Sequence, residues 1–452
     1  MQIKFIGAAG TVTGSKTLVT VNDKNLLVDC GLYQGLKKLR ERNWQALPIN
    51  VRSIKAVVLT HAHIDHSGFI PALVKQGFKG KVFCTPATYA LCRVLLPDAG
   101  FLQEEDARYA NKGRFSKHSP ALPLYTEEDA WTALKHFEVV DFSEAFEPIR
   151  GVTATFSRSG HILGAGSLRL DDGRRSIVFS GDVGRLKDDI MYPPEPLPSC
   201  DYLVVESTYG DRLHAQIDTR QVISDLVTRT CERGGIVLIP AFAVGRAQSL
   251  LFVLNELKKA GRIPNIPIFL NSPMAITATE IFYRFHKEHR LTPEQCAEID
   301  AGVTFVRTVE ESMALNTKRF PCIIISASGM ASGGRVLHHL KTLLPNHRNS
   351  ILFAGYQAGG TRGEALVHGA DKVKIHGEYH SVKAEVVNLE SLSAHADYEE
   401  LLTWMKQVEH PPRKVYITHG EPLAADCLRR HIQERLGWDA SVADYLEQVD
   451  LG

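Results

Sequence analysis

Ala56-Val57-Val58-Leu59-Thr60-His61-Ala62-His63-Ile64-Asp65-His66 is the stretch whose reading decides the fold. Four apolar residues in succession, two of them β-branched, read as a buried strand. Directly past it, His61, His63, Asp65 and His66 put four ligand-type side chains into six positions. Imidazole and carboxylate are what zinc takes where no thiolate is offered. One short loop cannot wrap metal ions with its own residues, so further ligands must come from elsewhere in the chain.

Working outward, the same pattern recurs: a short apolar run ending in a polar loop. Leu26-Leu27-Val28 ends in Asp29, and Ile177-Val178-Phe179 ends in Ser180-Gly181-Asp182. Leu203-Val204-Val205 ends in Glu206, and Val415-Tyr416-Ile417 ends in Thr418-His419-Gly420. His161 lies in Ser159-Gly160-His161-Ile162-Leu163-Gly164. Strand ends that converge are where α/β folds bind ligands. A lone histidine is best read as a surface residue. The dense His61–His66 loop together with His161, Asp182 and His419 is best read as a metal centre.

With 452 residues the chain is long enough for two or three domains at roughly 150 residues each. The middle differs from the flanks. Gly234–Pro240 reads as a strand, Arg246–Ala260 as an amphipathic helix and Ile266–Leu270 as a strand. Cys322–Ile325, Gly334–Leu344 and Ile351–Ala354 repeat that order. Alternating strands and helices predict a parallel, doubly wound sheet. The expected organisation is therefore an outer domain over 1–209, an inserted domain over 210–384, and the outer domain's C-terminal part over 385–452. Residues 98–137, rich in acidic side chains, read as mostly helical. The eight cysteines form no CxxC pair, which argues against a cysteine zinc ribbon and for buried thiols. The formal net charge of +1 gives no sign of a polyanion partner and excludes none, because a basic cleft hides easily in a neutral total. No run approaches the roughly 20 apolar residues that span a bilayer, and the apolar start of the chain is too short for a signal peptide, so a cytoplasmic protein is expected.

These motifs resemble those of the metallo-β-lactamase superfamily. Glu206-Ser207-Thr208-Tyr209-Gly210, Ser393-Ala394-His395-Ala396-Asp397 and Thr418-His419-Gly420-Glu421 further resemble the three added motifs of its β-CASP branch, which includes RNA-processing nucleases. Asn271-Ser272-Pro273-Met274-Ala275 and Ser326-Ala327-Ser328-Gly329-Met330 resemble that branch's inserted domain. The resemblance covers essentially the whole chain. It implies an αββα sandwich of metallo-β-lactamase type carrying an inserted parallel-sheet β-CASP domain. It also implies two zinc ions. His61, His63 and His161 would hold one, Asp65, His66 and His419 the other, and Asp182 would bridge both. Asp29 would fix the ligand loop from behind, His395 would act as general acid, and Glu206 would orient it.

The activity so implied is hydrolysis of single-stranded RNA by a two-metal bridging hydroxide, leaving 5′-phosphate and 3′-hydroxyl ends, with internal cuts expected over end-trimming. Phosphate contacts are expected from Ser326, Ser328, Gly329, Arg246, Arg335, Arg362 and Ser393, because backbone N–H groups at helix starts and arginine forks suit phosphates. The alternative is a metal-dependent hydrolase of DNA or of a small-molecule ester or lactam on the same scaffold. Relatives that cut DNA tend to carry valine in the last motif, where this chain has His419, which favours RNA. The resemblance also implies a homodimer.

Overall fold

A computed structural model describes residues 1–113, 118–317 and 320–452. They divide into two compact units. The first comprises Met1–Asp188, Tyr192–Leu213 and His395–Gly452; the second comprises His214–Ala394 with Asp189–Met191.

The first unit is built on two seven-stranded sheets. One runs in the order Gln448–Asp450, Gln2–Phe5, Thr17–Val21, Lys24–Val28, Ile54–Val58, Lys81–Cys84 and Phe137–Val139. Its pairs are antiparallel up to Lys24–Val28 and parallel from there on. The other runs Ala440–Val442, Lys414–Ile417, Tyr202–Val205, Ser176–Phe179, Gly166–Asp171, Val152–Arg158 and Ala145–Ile149. In it, the first four strands are mutually parallel.

Alternation along each strand explains the sandwich. Ile177, Phe179, Val204 and Tyr416 pack with Phe5, Val19, Leu26, Val28 and Val58 in the core shared by the two sheets. Their neighbours Val178, Leu203, Val205, Val415 and Ile417 point the other way. There they pack with Trp404, Leu428 and Ile432 from the helices Tyr398–Met405 and Pro422–Leu436. Strands covered on both faces need apolar residues at every position, which is why these segments read as continuous apolar runs rather than alternating ones. Each such side chain contributes about 1.5–3 kcal/mol on burial.

The second unit has a sheet of six strands in the order Thr304–Phe305, Ile268–Leu270, Cys322–Ser326, Ile236–Pro240, Ser350–Phe353 and Glu385–Asn388, all paired in parallel. The strand Glu385–Asn388 lies past residue 384 yet belongs to this sheet. Every residue of Cys322–Ser326 is buried, as a central strand of such a sheet requires. The helix Arg246–Lys259 follows its strand as expected. The helix expected from Gly334 starts at Val336 instead, because Gly334 sits at φ +77°, outside the helical region.

The acidic stretch is less uniform than its composition suggests. A helix of 28 residues, Pro86–Gly113, begins well before residue 98 and carries Pro97 within it. A second helix, Glu127–Leu134, is closed by a reciprocal cap between Thr126 and Asp129. Its first-turn acids Glu127, Glu128 and Asp129 complement the positive end of the helix dipole. Residues 114–117 of that stretch, and 318–319 in the second unit, lie outside the described residues. No disulfide joins the cysteines among the described residues, and six of the eight are buried. Among the described residues no helix is long and apolar enough to cross a membrane.

One glycine shows how tightly the ligand loop is clasped. Gly31 N donates to Ser15 O, Cys30 N donates to His66 O, and Ser15 N donates to Asp65 O. A Cβ at Gly31 would fall 1.6 Å from the carbonyl oxygen of Asp65. Gly31→Ala is therefore expected to cost about 3 kcal/mol or more, at the upper end of overpacking penalties, because backbone rather than a flexible side chain must move. A chemical denaturation midpoint equal to that of the wild type would contradict this.

Candidate active site

Parallel pairing sets the site. Ser176–Phe179, Tyr202–Val205 and Lys414–Ile417 are adjacent parallel strands, so their C-terminal ends deliver Asp182, Glu206 and His419 side by side. Lys24–Val28 and Ile54–Val58 are likewise parallel and deliver Asp29 and Thr60-His61. A short helical turn, Ile64–Ser67, then presents Asp65 and His66. Two of these residues sit in left-handed backbone, Asp29 at φ 61° and His419 at φ 51°. Such conformations cost about 1–3 kcal/mol for residues other than glycine and persist where the surroundings impose them. Here the surroundings are hydrogen bonds from Asp29 N to Val58 O and from His419 N to Ala8 O.

The donor atoms form two groups. In the first, His63 Nδ1 lies 3.2 Å from both His61 Nε2 and His161 Nε2. Asp182 Oδ2 lies 3.4 Å from His61 Nε2 and 3.6 Å from His161 Nε2. In the second, His66 Nε2 lies 3.1 Å from His419 Nε2, and Asp65 Oδ2 lies 3.5 Å from His419 Nε2. Asp182 Oδ1 is 3.2 Å from His66 Nε2. One carboxylate therefore offers one oxygen to each group. Four donors each 2.0–2.1 Å from a tetrahedral zinc would stand about 3.3 Å apart, which is the spacing of the first group. Ring nitrogens that face one another through their lone pairs repel unless a cation lies between them. The donor set fits divalent metal ions.

A further layer holds these donors. Asp29 Oδ2 accepts from His66 Nδ1 at 2.8 Å. Thr60 Oγ1 lies 2.9 and 3.0 Å from the two Asp29 oxygens and 3.1 Å from His61 Nδ1. Asp29 thus steers His66 directly and His61 through the Thr60 hydroxyl, the carboxylate–imidazole arrangement that fixes tautomer and ring orientation. Glu206 accepts from Val183 N at 2.6 Å and from His395 Nδ1 at 3.0 Å, tying the Asp182 turn and His395 to one buried carboxylate. His395 Nε2 in turn lies 3.9 Å from Asp182 Oδ2, and its ring centre is 4.4 Å from that of His161. Thr60 and Thr208 escaped sequence reading. Threonine hydroxyls flanking ligand residues carry no pattern of their own, although both stand within two residues of a residue singled out above.

Charge follows the same division. Burial first, then neighbouring imidazoles, holds His61 and His161 well below the usual histidine range, and burial brings His63 down to about 4. Burial thus favours the neutral form of these three rings, the form in which an imidazole can bind a metal ion. Burial also opposes charge on His66, but the Asp182 and Asp29 carboxylates outweigh it and hold His66 well above the usual range. At His395 burial is again overcome, by Glu206 and then Asp182, and its value is pushed up to about 9. Asp182 stays well below the usual carboxylate range: burial raises it, and His419, His66 and His61 more than reverse that. The carboxylates of this site draw positive charge inward.

The residues expected to touch phosphate lie in the second unit, and several are already engaged. Ser326 is fully buried with its hydroxyl donating to Asn271 O at 3.0 Å. Arg335 donates to Asn271 Oδ1, Val306 O and Arg307 O, and Arg362 donates to Lys374 O, Ala331 O and Ser332 O. These three hold backbone and a neighbouring side chain in place. Ser328 Oγ accepts from Ser332 N at 2.9 Å and from Gly333 N at 3.4 Å, so part of the loop's N–H capacity is spent internally. Gly329 has no room for a side chain, since a Cβ would lie 2.7 Å from the Phe242 ring. Arg246 and Ser393 are both buried.

Comparison with known proteins places this geometry. The metallo-β-lactamase superfamily model matches residues 9–219, the Beta-Casp domain model residues 247–366, and the Zn-dependent metallo-hydrolase RNA specificity domain residues 375–443. The chain belongs to the β-CASP branch of the metallo-β-lactamase superfamily and is a metal-dependent hydrolase with a divalent-cation site. Among its relatives, Ribonuclease TTHA0252 of Thermus thermophilus is 34% identical over 99% of this chain and 100% of its own length. Transcription termination factor FttA of Methanocaldococcus jannaschii is 30% identical over 95% of this chain and 69% of its own length. An RNase J-like protein of the same organism is 30% identical over 93% of this chain and 92% of its own. A solved Enterococcus faecalis protein of unknown function shares the fold, with a TM-score of 0.54 at 14% identity over 99% of both chains.

Proposed function

We propose that this chain is a ribonuclease that hydrolyses single-stranded RNA with two zinc ions, cutting internally and leaving 5′-phosphate and 3′-hydroxyl ends. The observation that carries the reading is Asp182, whose two oxygens face two separate donor groups, with His395 beside it on a buried glutamate. The ribonuclease and RNase J-like relatives support RNA as substrate. When bound, the ions supply an activated water and neutralise charge on the phosphoryl oxygens. His61, His63 and His161 would hold one ion and Asp65, His66 and His419 the other, with Asp182 offering an oxygen to each. Asp29 and Thr60 keep the Nε2 atoms of His66 and His61 turned inward. Glu206 holds the proton of His395 Nδ1, so that His395 Nε2–H points at the scissile bond and protonates the departing 3′ oxygen.

Incubation of the purified chain with a strong chelator is expected to abolish cleavage of 5′-labelled single-stranded RNA, and added Zn²⁺ to restore it. Internal fragments with 5′-phosphate ends would support the reading. Stepwise loss of nucleotides from one end would replace internal cutting with end-trimming. Preferential cutting of matched DNA, or zinc-loaded protein that leaves RNA intact, would remove RNA as the substrate.

A further inference from the structure

We propose that Thr208 is the positioning residue of His419 and thereby sets how tightly the Asp65–His66–His419 group holds its cation. This rests on the two-ion reading above.

The rings of the site differ in what holds the nitrogen that faces away from the donor group. His66 Nδ1 has the Asp29 carboxylate at 2.8 Å. His61 Nδ1 has the Thr60 hydroxyl at 3.1 Å, itself backed by both oxygens of Asp29. For His419 the corresponding group is the buried Thr208 hydroxyl, 3.2 Å from Nδ1 and 3.3 Å from the His419 carbonyl oxygen. Asp182 Oδ1 is also within 3.5 Å of this nitrogen, farther than the hydroxyl and without hydrogen-bond geometry.

A hydroxyl has one proton and two lone pairs. Given to the His419 carbonyl, its proton leaves a lone pair to accept Nδ1–H. That assignment fixes the ring as the Nδ1–H tautomer and leaves Nε2 a bare donor, facing His66 Nε2 at 3.1 Å and Asp65 Oδ2 at 3.5 Å. The same hydroxyl braces a residue whose backbone sits at φ 51°. Ser207 N, donating to His419 O at 3.1 Å, shares that load on the backbone but does not reach the ring. Ring orientation and tautomer at His419 thus depend on a neutral group, where His66 uses a carboxylate directly and His61 uses one through a relay. His419 also comes from the chain's C-terminal segment, far in sequence from Asp65 and His66, so the clasp around His61–His66 does nothing to orient it.

The test is a Zn²⁺ titration of the metal-stripped full chain against a chromophoric chelator, with Thr208→Val, Thr208→Ser and His419→Ala alongside. Melting temperatures of the metal-free proteins report folding. Thr208→Val keeps shape and loses the hydroxyl. It is expected to weaken uptake of one zinc by about 10–100-fold, the usual effect of removing an outer partner, and to leave the other unchanged. Thr208→Ser should restore most of that loss, and His419→Ala should weaken the same ion further. Where the valine lowers the metal-free melting temperature, Thr208→Ala carries the same comparison. Wild-type affinity for both ions in the hydroxyl-less variants, or equal losses in Ser and Val, overturns the proposal. A wild-type chain that takes up a single zinc, indifferent to His419→Ala, overturns the two-ion reading and the proposal with it.

Discussion

Asp182→Ala is expected to bind less than one equivalent of zinc under conditions that load the wild type with two, and to cleave single-stranded RNA at least about 10³-fold more slowly. The size of the effect follows from position. Asp182 Oδ2 faces the His61 and His161 nitrogens while Oδ1 faces His66, so one substitution removes a donor from both groups. It also removes a negative charge from a buried position, where hydrogen-bond donors and charges act far more strongly than in water; loss of a single such group elsewhere costs about 10²–10³ in rate. Two groups lost together exceed that. Asp182→Asn retains one oxygen and is expected to fall between. Metal analysis by plasma mass spectrometry with parallel RNA cleavage decides the matter: full zinc content and unaltered cleavage in Asp182→Ala would show that the bridging role is misassigned.

The candidate donors were legible because their signals are local. A short Val- and Ile-rich strand followed by polar ligand-type side chains is visible at Val58, Phe179, Val205 and Ile417, and the parallel pairing of these strands brings the ends together. What was not legible is long-range or silent. Nothing near Thr60 or Thr208 says which histidine it meets, because a hydroxyl inside or beside a motif reads as ordinary loop polarity. The internal partners of the arginines are equally silent in the sequence. Arg335 and Arg362 sit in glycine-rich stretches, and their guanidinium groups donate to backbone carbonyls of other segments, Arg335 to Arg307 O and Arg362 to Lys374 O, which no local pattern reveals. The acidic stretch after residue 98 was read from composition, which reports helical tendency without locating a start. The helix begins at Pro86, where proline at the first turn is compatible with helical φ and lacks only an N–H that is unpaired there anyway.

His395→Ala is expected to behave differently from Asp182→Ala: zinc content near that of the wild type, with RNA cleavage slowed by about 10²–10⁴-fold. His395 is not among the converging ring nitrogens, and its Nδ1 is committed to Glu206, so its loss removes no donor from either group. What it removes is a proton. Glu206 and Asp182 raise the His395 value against the effect of burial, so the carboxylates around the ring favour the charged form that has a proton to give. A ribose 3′ oxygen leaves poorly without one, whereas a nitrophenolate leaves well unaided. The variant is therefore expected to be strongly impaired on RNA and nearly normal on an activated nitrophenyl phosphodiester. Glu206→Gln should show the same substrate dependence in weaker form, because it leaves the imidazole in place but removes the charge that holds its proton. Equal impairment on both substrates would mean that His395 shapes the site rather than protonating the leaving group, and loss of zinc would mean that the ring supports the donors after all.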